Sequence, residues 1–328
     1  ETPQPTDRMA DGSPWPRVSV VTPSYNQGPF IEETIRSVLL QGYPDLEYIV
    51  IDGGSTDESV EIIKKYEPWL AYWTSEPDRG QSQAINKGLS RGKGQVVAYL
   101  NSDDIYLCGA MQQAVMYIMD QKEADIVYGD CRIINDESHT VSVWRSRPFD
   151  LFVELCQDFI YQPTVLMKRR VLEVVGCFDE ELHYAMDVDY WLKAAMVVKF
   201  AYLPVELAAF RMSEGSKTGT SPVPFAVERR RVLDKFFRSH VNSRVAQWRG
   251  KVFAWNHYHA GSRLYVENER GLARREFIEG IKLEPFSLKS IAALLAIFES
   301  HAKTNLFGRL ASGLPINLKP LRRHKAEE

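Results

Sequence analysis

Two adjacent carboxylates, Asp103 and Asp104, follow an apolar run in the stretch AYLNSDDIYLCG of this chain. Oxygen ligands of this kind suit Mg²⁺ or Mn²⁺, which proteins commonly hold with one or two carboxylates and the phosphates of a substrate. Acidic pairs are also common in turns, where they hydrogen-bond the local backbone and do no chemistry. The motif alone therefore leaves a metal site and a polar turn as alternatives.

Polar residues follow two other predicted strands. The strand VSVVT leads into the polar segment 22–26, and the strand EYIVID ends at Asp52. In an open α/β sheet, ligands bind beyond the carboxyl ends of the strands, so these ends favour a ligand site. Asp52 is a candidate acceptor for the N–H of a uracil-like base. Its alternative role is to cap the helix that begins in STDES.

The common nucleotide-binding motifs are missing from the sequence. No G-x-G-x-x-G follows a strand and no G-x-x-x-x-G-K-[ST] occurs, which excludes the usual sites for nicotinamide dinucleotides and P-loop nucleotides. A diphosphate-linked nucleotide needs a divalent cation, a carboxylate that holds it, and an acceptor for a base N–H. The segment NSDD and Asp52 can supply these groups.

The elements that must position these residues alternate in type. From RVSVVTPSYNQ onward, short β-rich runs alternate with helical ones, as in PFIEETIRSVLLQ, where Ile31, Ile35 and Val38 share one face. The pattern predicts an α/β fold with a mostly parallel central sheet and flanking helices. The alternation of strands and helices is regular as far as ADIVYGD and less regular from there to about Val205, which suggests a second half of the domain that faces the substrate.

Composition excludes several classes of function. A net charge of -3 and a pI near 6.2 give no general attraction to nucleic acid. The four cysteines are widely spaced, which argues against a zinc or redox motif and for free thiols in a reducing compartment.

Without an apolar signal segment or spanning run, we expect a cytoplasmic protein. The stretch SLKSIAALLAIFESHAK fits a core helix or, as an alternative, a membrane-surface helix.

The opening VSVVTPSYNQGPFIEETIRSVLLQGYPDLEYIVIDGGSTDESVEII resembles glycosyltransferase family 2. The resemblance continues in the family's order through SEPDRGQSQAINKGL, YLNSDD, ADIVYGD, YQPTVLMKR, GCFDEEL, MDVDYWLKA and EGSKT, and so spans nearly all of 17–218. It implies the GT-A fold, a Rossmann-like sheet, and transfer of a sugar from a nucleotide donor, usually with inversion.

The resemblance also implies which residues bind the nucleotide. In the family, the first strand ends in a segment that wraps the base and ribose, and the aspartate that contacts the base corresponds by resemblance to Asp52. Arg79 and Lys87 either face the diphosphate or are surface charges. The nucleotide-binding set is Thr22, Pro23, Ser24, Tyr25, Asp52, Asp78, Gly80, Asn101 and Ser102.

The family's D-x-D motif falls on Asn101, Ser102 and Asp103, so its first position is an amide here. The last aspartate is the usual metal ligand, which makes Asp103 the predicted ligand of Mg²⁺ or Mn²⁺. Asp104 then binds indirectly or orients the loop. Ser213 stands where many members carry a histidine that joins the metal.

Two alternatives follow from Ser213. Either Asp103 and the diphosphate hold the metal by themselves, or Arg211 and Lys217 help to neutralise the phosphates.

An inverting transfer needs a carboxylate that removes the acceptor hydroxyl's proton. The family takes this base from a Glu-Asp pair at a helix start, which corresponds here to Met186 and Asp187. Asp187 is therefore the predicted base, and it can cap its helix as well. Further candidates for donor or acceptor contact, each of which could instead be scaffold, are Asp130, Gln162, Pro163, Asp189 and Trp191.

The predicted domains are a disordered Pro-rich leader at 1–16, a catalytic domain at 17–220 that divides after 107 into nucleotide-binding and acceptor halves, and a helical region at 221–328. The last boundary follows the loop FRMSEGSKTGTSPVP. LARREFIEGIKLEP resembles one tetratricopeptide helix without a second copy, so a helical tail is predicted. The tail braces the catalytic domain, supports self-association, or lies near a membrane, where LKPLRRHK would add attraction to anionic lipid.

The predicted activity is transfer of a sugar from a nucleoside diphosphate sugar, with UDP favoured, to a saccharide or lipid-linked saccharide acceptor, in assembly of bacterial-type surface polysaccharide or glycolipid. An alternative is a binding or scaffold protein that has lost transfer, which Asn101, Met186 and Ser213 suggest. Retention of Asp103 and Asp187 argues against it. A nucleotidyltransferase would be expected to carry a Gly-rich loop, which TPSYNQG lacks.

Overall fold

The computed structural model describes residues 8–9, 11–121, 123–213, 222–287 and 293. The chain divides into two compact units, Glu1–Glu154 with Asp158–Thr220, and Leu155–Gln157 with Ser221–Glu328. Lys217, the segment 1–7 and most of the predicted helix in SLKSIAALLAIFESHAK lie outside the described residues.

The first half of the larger unit is a parallel sheet covered by helices. Its elements are β1 (Val18–Ser24), α1 (Gly28–Leu39), β2 (Leu46–Asp52), α2 (Ser59–Tyr66), a 3₁₀ turn (Glu67–Trp69), β3 (Tyr72–Ser75), α3 (Gln81–Arg91) and β4 (Val96–Tyr99). The strands lie in the order β3-β2-β1-β4 with parallel pairing.

Helices cover both faces of β1, and all seven of its residues are buried. Val20 packs in one apolar cluster with Ile31 and Ile35 of α1. On the other face, a Cβ at Gly88 of α3 would come within 2.3 Å of a methyl group of Val21. The absence of a side chain at Gly88 therefore lets α3 approach the strand closely. Burial on both faces explains why valines occur at both odd and even positions of the run that predicted this strand.

The second half is a mixed sheet. Its elements are β5 (Ile105–Tyr106), α4 (Ala110–Asp120), β6 (Ile126–Ile134), β7 (Thr140–Trp144), α5 (Leu151–Cys156), a 3₁₀ turn (Gln162–Thr164), β8 (Leu166–Lys168), α6 (Arg170–Val175), α7 (Met186–Ala194) and β9 (Phe200–Arg211). The order continues as β4-β8-β6-β9-β5, and β7 pairs with β6. Antiparallel pairs involve β5, β7 and β8, whereas β6 and β9 are parallel. The predicted α/β sheet with flanking helices is confirmed.

The predicted leader is wrong at its C-terminal end. Trp15 is buried and meets the ring of Tyr43 edge-on, with 5.5 Å between ring centroids. The Tyr43 hydroxyl donates a 2.7 Å hydrogen bond to the carbonyl of Pro16. These residues belong to the packed unit because an indole placed against the core removes a large apolar surface from water.

The smaller unit contains three described helices, α8 (Pro222–Ser239), α9 (Arg249–Val266) and α10 (Arg270–Leu283). The helical C-terminal region is therefore confirmed. Helices α9 and α10 pack closely, since a Cβ at Gly261 would lie 2.7 Å from the ring of Phe277. Within the described residues, no helix combines the length and apolar character needed to cross a bilayer.

Candidate functional site

The loops after β1 and β2 are joined by hydrogen bonds. The backbone of Asn26 has a positive φ of 51°, and its N–H donates to the Ser55 hydroxyl at 2.8 Å. The N–H of Gly28, the first residue of α1, donates to Asp57 at 2.8 Å. Burial opposes ionisation of Asp57, but hydrogen bonds from Ser59 and Gly28 hold the pKa of its carboxyl below the usual value. The STDES segment therefore supports the start of α1 as well as its own helix.

The Asp52 carboxylate is fully buried and bound by its own turn. One oxygen accepts the N–H of Gly54 at 3.1 Å, the N–H of Ser55 at 2.9 Å and the Ser75 hydroxyl at 2.7 Å, and the other accepts the Ser55 hydroxyl at 2.5 Å. These hydrogen bonds are typical of a carboxylate that holds the conformation of a loop.

Among the residues predicted at the end of β1, one is exposed. Thr22, Pro23 and Ser24 are buried, and the Thr22 hydroxyl hydrogen-bonds that of Tyr48 at 2.9 Å. Tyr25 is 60% exposed. Tyr25 is therefore the member of this set whose ring is open to a ligand.

Asp78 occupies the space that a side chain at position 53 would fill. A Cβ at Gly53 would lie 2.8 Å from one carboxylate oxygen of Asp78. The other carboxylate oxygen accepts the N–H of Gly80 at 2.8 Å. Gly80 precedes α3 and has φ of 121°, a conformation that L side chains rarely adopt. The glycines at 53 and 80 thus allow the Asp78 carboxylate to lie against the end of β2.

Arg79 and Lys87 pair with carboxylates of the protein. Arg79 forms a 2.5 Å ion pair with Glu180, and Lys87 pairs with Glu76. Of the two alternatives predicted for these residues, the described contacts match the one in which they are surface charges.

Asn101 is a hydrogen-bonding junction at the end of β4. Its amide nitrogen donates to Asp104 at 3.2 Å and to Gln162 at 3.3 Å, and its oxygen accepts from Gln81 of α3 at 2.6 Å. Gln162 donates in turn to the carbonyl of Tyr99 at 2.7 Å. An amide suits this position because it both donates and accepts, which a carboxylate does not do.

Changing Asn101 to aspartate, which would restore the family's D-x-D pattern, is expected to damage this chain. Two acceptors would lose their donor and a further carboxylate would lie beside Asp104, so we expect the free energy of unfolding to fall by about 2 kcal/mol. Urea unfolding measures it, with exposed Asn242→Asp as control. An unchanged stability together with tighter binding of UDP in Mn²⁺ would show that the amide is a lost metal ligand instead.

Arg211 is fully buried at the end of β9. Its guanidinium forms a 2.5 Å ion pair with Glu33 of α1 and donates to the carbonyl of Asp103 at 2.9 Å and to that of Asn135 at 2.8 Å. Its backbone N–H donates to Asp104 at 3.0 Å. Of the two alternatives predicted from Ser213, these contacts match the one in which Arg211 does not neutralise a phosphate, because its partners enclose it and direct it into the protein.

Asp103 and Asp104 have different surroundings. Asp104 is fully buried, and burial, followed by the charge of Asp103, raises the pKa of its carboxyl well above the usual value. Asp103 is half-buried. The described residues include no group of three His, Cys, Asp or Glu side chains placed to hold a metal. One carboxylate fits a cation that a diphosphate carries, since Mg²⁺ is usually held in this way.

Asp187 lies in the first turn of α7, and its carboxylate accepts the N–H of Val188 at 2.8 Å. Burial is the main cause that raises the pKa of Tyr99, and the charges of Asp187 and Asp104 add to it. Two consecutive residues of α3 link α7 to the NSDD segment, since Gln81 donates to Asn101 at 2.6 Å and the Ser82 hydroxyl contacts Met186, the residue before Asp187. Met186 is buried, with its sulfur 2.8 Å from the Ser82 hydroxyl of α3.

Asp130 and Gln162 are held within the fold. Asp130 is buried and accepts hydrogen bonds from Arg145 at 2.6 Å, the N–H of Ser146 at 2.9 Å and the Tyr202 hydroxyl at 2.7 Å. The described contacts match the scaffold alternative for Asp130. Gln162 touches the NSDD segment through Asn101.

Trp191 and Asp189 also match the scaffold alternative. Trp191 is buried and meets Phe178 and Tyr190 edge-on, with ring centroids 6.5 and 5.5 Å apart. Asp189 is buried and pairs with Lys193 one turn later at 2.5 Å. These side chains pack α7 and do not line an open surface.

The loop that precedes α7 is hydrogen-bonded to the segment before α3 and to α3 itself through Glu180, a residue that the sequence analysis missed. Glu180 accepts from Arg79 at 2.5 Å, Asn86 at 3.1 Å and Gln83 at 3.3 Å. The nearby His183 ring lies 3.5 Å from the position of a Cβ at Gly80. The motif GCFDEEL contains Glu180, but one sequence does not show which helix would meet it.

A model of the family described as "Glycosyl transferase family 2" matches residues 19–172. An uncharacterized glycosyltransferase of Mycobacterium tuberculosis is 43% identical over 189 residues, which cover 56% of this chain and 70% of the relative. The chain belongs to glycosyltransferase family 2. The predicted family is thereby confirmed.

Solved structures of glycosyltransferases share the fold. TarS of S. aureus matches with a TM-score of 0.59 and 20% identity, over 88% of this chain and 53% of the TarS chain. This chain therefore spans about half the length of that neighbour. A fragment of TarS is known in complex with UDP-GlcNAc. The mannosyltransferase PcManGT of Pyrobaculum calidifontis, in complex with GDP-Man and Mn²⁺, matches with a TM-score of 0.57 and 22% identity, over 90% of this chain and 83% of its own.

Proposed function

We propose that this family 2 glycosyltransferase moves a sugar from a nucleoside diphosphate sugar, with UDP favoured, to an acceptor hydroxyl with inversion. One observation carries the proposal: consecutive residues at the start of α3 contact both segments, because Gln81 donates to Asn101 at 2.6 Å and the Ser82 hydroxyl lies 2.8 Å from the sulfur of Met186, the residue before Asp187. The helix start that carries the proposed base and the segment that holds Asp103 are therefore linked through α3. The acceptor that we propose is a saccharide or a lipid-linked saccharide, and we place the reaction in the cytoplasm.

In the proposed reaction, the acceptor oxygen attacks C1 of the donor sugar while its proton passes to the Asp187 carboxylate. The bond between C1 and the diphosphate oxygen breaks, and the nucleoside diphosphate leaves with the electron pair. Asp103 would hold Mg²⁺ or Mn²⁺, which supplies charge stabilisation to the leaving diphosphate when bound. Arg211 holds the carbonyl of Asp103 in place at 2.9 Å.

Base recognition is assigned to Asp78 in this proposal. The oxygens of Asp52 accept three hydrogen bonds within its turn and one from the Ser75 hydroxyl at the end of β3, and its side chain is fully buried. The carboxylate of Asp78 lies where a side chain at Gly53 would begin, at the end of the same strand. We therefore expect Asp78 to accept the base N–H and Asp52 to hold the turn that presents it.

Two isosteric variants separate these roles. Asp78→Asn is expected to weaken UDP binding about tenfold, because the base N–H loses a charged acceptor. Asp52→Asn is expected to lower the free energy of unfolding by about 2 kcal/mol, because a donor replaces a buried acceptor. Titration calorimetry and urea unfolding measure both quantities. The assignment is reversed if Asp52→Asn loses UDP affinity at full stability and Asp78→Asn binds as the wild type does.

A panel of nucleotide sugars tests the function as a whole. We expect UDP sugars to raise the melting temperature more than GDP, dTDP or CMP sugars, since a ligand that binds only the folded state stabilises it. Addition of Mn²⁺ should increase the shift. If no nucleotide sugar raises the melting temperature and none is turned over, the proposed function is wrong.

A further inference from the structure

Three aromatic rings form a row in the second half of the sheet. Trp144 ends β7, Tyr161 precedes the 3₁₀ turn, and Phe210 lies near the end of β9. The Trp144 ring is 5.2 Å from that of Tyr161 at an interplanar angle of 37°, and 5.7 Å from that of Phe210 at 26°. Trp144 is therefore the central ring of the row.

Each ring of this row is half-buried, so part of its surface stays exposed to solvent. The aromatic cluster around α7 is different. Trp191 and Phe178 there are 1% and 2% exposed, as expected for rings that fill a core. The residues of the row around Trp144 are thus less completely covered than the residues of this core cluster.

The row borders the NSDD segment through its chain neighbours. Gln162, which follows Tyr161, accepts a hydrogen bond from Asn101 at 3.3 Å. The backbone N–H of Arg211, which follows Phe210, donates to the Asp104 carboxylate at 3.0 Å, whereas the guanidinium of Arg211 lies on the opposite face of the strand from Phe210. Two residues of the row are thus one position away in the chain from residues that contact the NSDD segment, on the side contributed by the second half of the sheet. The nucleotide residues proposed above come from the first half.

A sugar ring suits such a surface. A pyranose has C–H groups on its faces, which carry a slight positive charge, and the face of an aromatic ring is electron-rich. The nucleotide base is assigned to the ends of β1 and β2, so it does not compete for this row. We propose that the row Tyr161, Trp144 and Phe210 is the acceptor subsite and binds a pyranose ring of a saccharide acceptor. The inference rests on the proposed function, because it needs a donor bound next to it.

Saturation-transfer NMR on the full chain with UDP bound tests the subsite. The probes are methyl pyranosides of glucose, galactose, mannose and N-acetylglucosamine, which carry no aromatic group of their own. We expect saturation transfer to ring C–H protons of at least one probe in the wild type, and about a tenfold weaker affinity in Trp144→Ala. Trp144→Phe should keep most of the signal, because it keeps a ring.

Trp69→Ala is the matched control, since Trp69 is a 63% exposed tryptophan of the same unit. It should bind the probes as the wild type does, and all variants should keep the wild-type affinity for UDP by calorimetry. Equal probe signals in Trp144→Ala and wild type, or no probe signal in a wild type that binds UDP, would overturn the acceptor subsite alone. A joint loss of probe and UDP binding in Trp144→Ala would also overturn it, because the tryptophan would then be structural. A wild type that binds no UDP would overturn the proposed function as well.

Discussion

Asp187→Asn is expected to lower kcat for sugar transfer by about 10²- to 10⁴-fold, the range that a general base contributes. The amide still accepts a hydrogen bond, so the contact with the N–H of Val188 at 2.8 Å can persist and α7 should stay folded. What the variant loses is the basic oxygen that takes the acceptor's proton. UDP affinity should be unchanged, because the base does not hold the nucleotide.

Initial rates of transfer from a UDP sugar to a saccharide acceptor measure kcat, and calorimetry measures UDP affinity in the same preparation. Asp45→Asn is the control, since Asp45 is an exposed carboxylate paired with Arg17 at 2.9 Å. A variant that keeps more than a tenth of the wild-type kcat would show that Asp187 is not the base. A variant that loses UDP binding would instead make it a nucleotide-binding residue.

Arg211→Met is expected to lower the free energy of unfolding by about 3 to 5 kcal/mol, because the carbonyls of Asp103 and Asn135 lose a buried donor and the ion pair with Glu33 is lost. The guanidinium ties α1 to the NSDD segment and to the turn after β6, through Glu33, the Asp103 carbonyl and the Asn135 carbonyl. Arg211→Lys should recover only part of the loss, since an ammonium lacks the planar fork that reaches three partners at once.

Urea unfolding of the full chain measures this effect, with two further variants as controls. Arg17→Met removes an arginine that is 47% exposed and pairs with the exposed side chain of Asp45, so we expect little change in the free energy of unfolding. Glu33→Gln keeps an acceptor for Arg211 and should be milder than Arg211→Met. If Arg211→Met is as stable as Arg17→Met, the buried arginine does not organise this part of the fold.

The regular first half of the sheet could be predicted because each element carries its own pattern. β1 and β2 are short, largely apolar runs, and α1 repeats apolar residues at helical spacing. In these elements, the residues that share a buried face are near one another in the sequence, so their spacing reveals the element. The short strands β5 and β8 have two and three residues, too few for a period to be visible. Their pairing with β9 and β4 depends on distant partners.

The ends of elements were harder to interpret than their interiors. Trp15 lies in a polar, Pro-rich stretch that resembles a leader, yet it packs on Tyr43. Arg211 precedes the segment EGSKT, which resembles the family, and its positive charge allowed a phosphate partner as an alternative. Its ion-pair partner Glu33 is 178 positions away in the chain, so only the folded chain brings the two together.

The sequence by itself determined the family, the α/β sheet and the helical C-terminal region, because ordered motifs and local hydrophobic periods carry that information. Only the tertiary structure decided how the polar residues at the strand ends are used. In the folded chain, the Asp52 carboxylate is hydrogen-bonded mostly within its own turn, and the Asp78 carboxylate lies in the space that a side chain at Gly53 would fill. The Arg211 guanidinium is enclosed by groups of the protein. The physical reason is that hydrogen bonds and buried charges are satisfied by whichever groups the folded chain brings within about 3 Å, and those partners are remote in sequence.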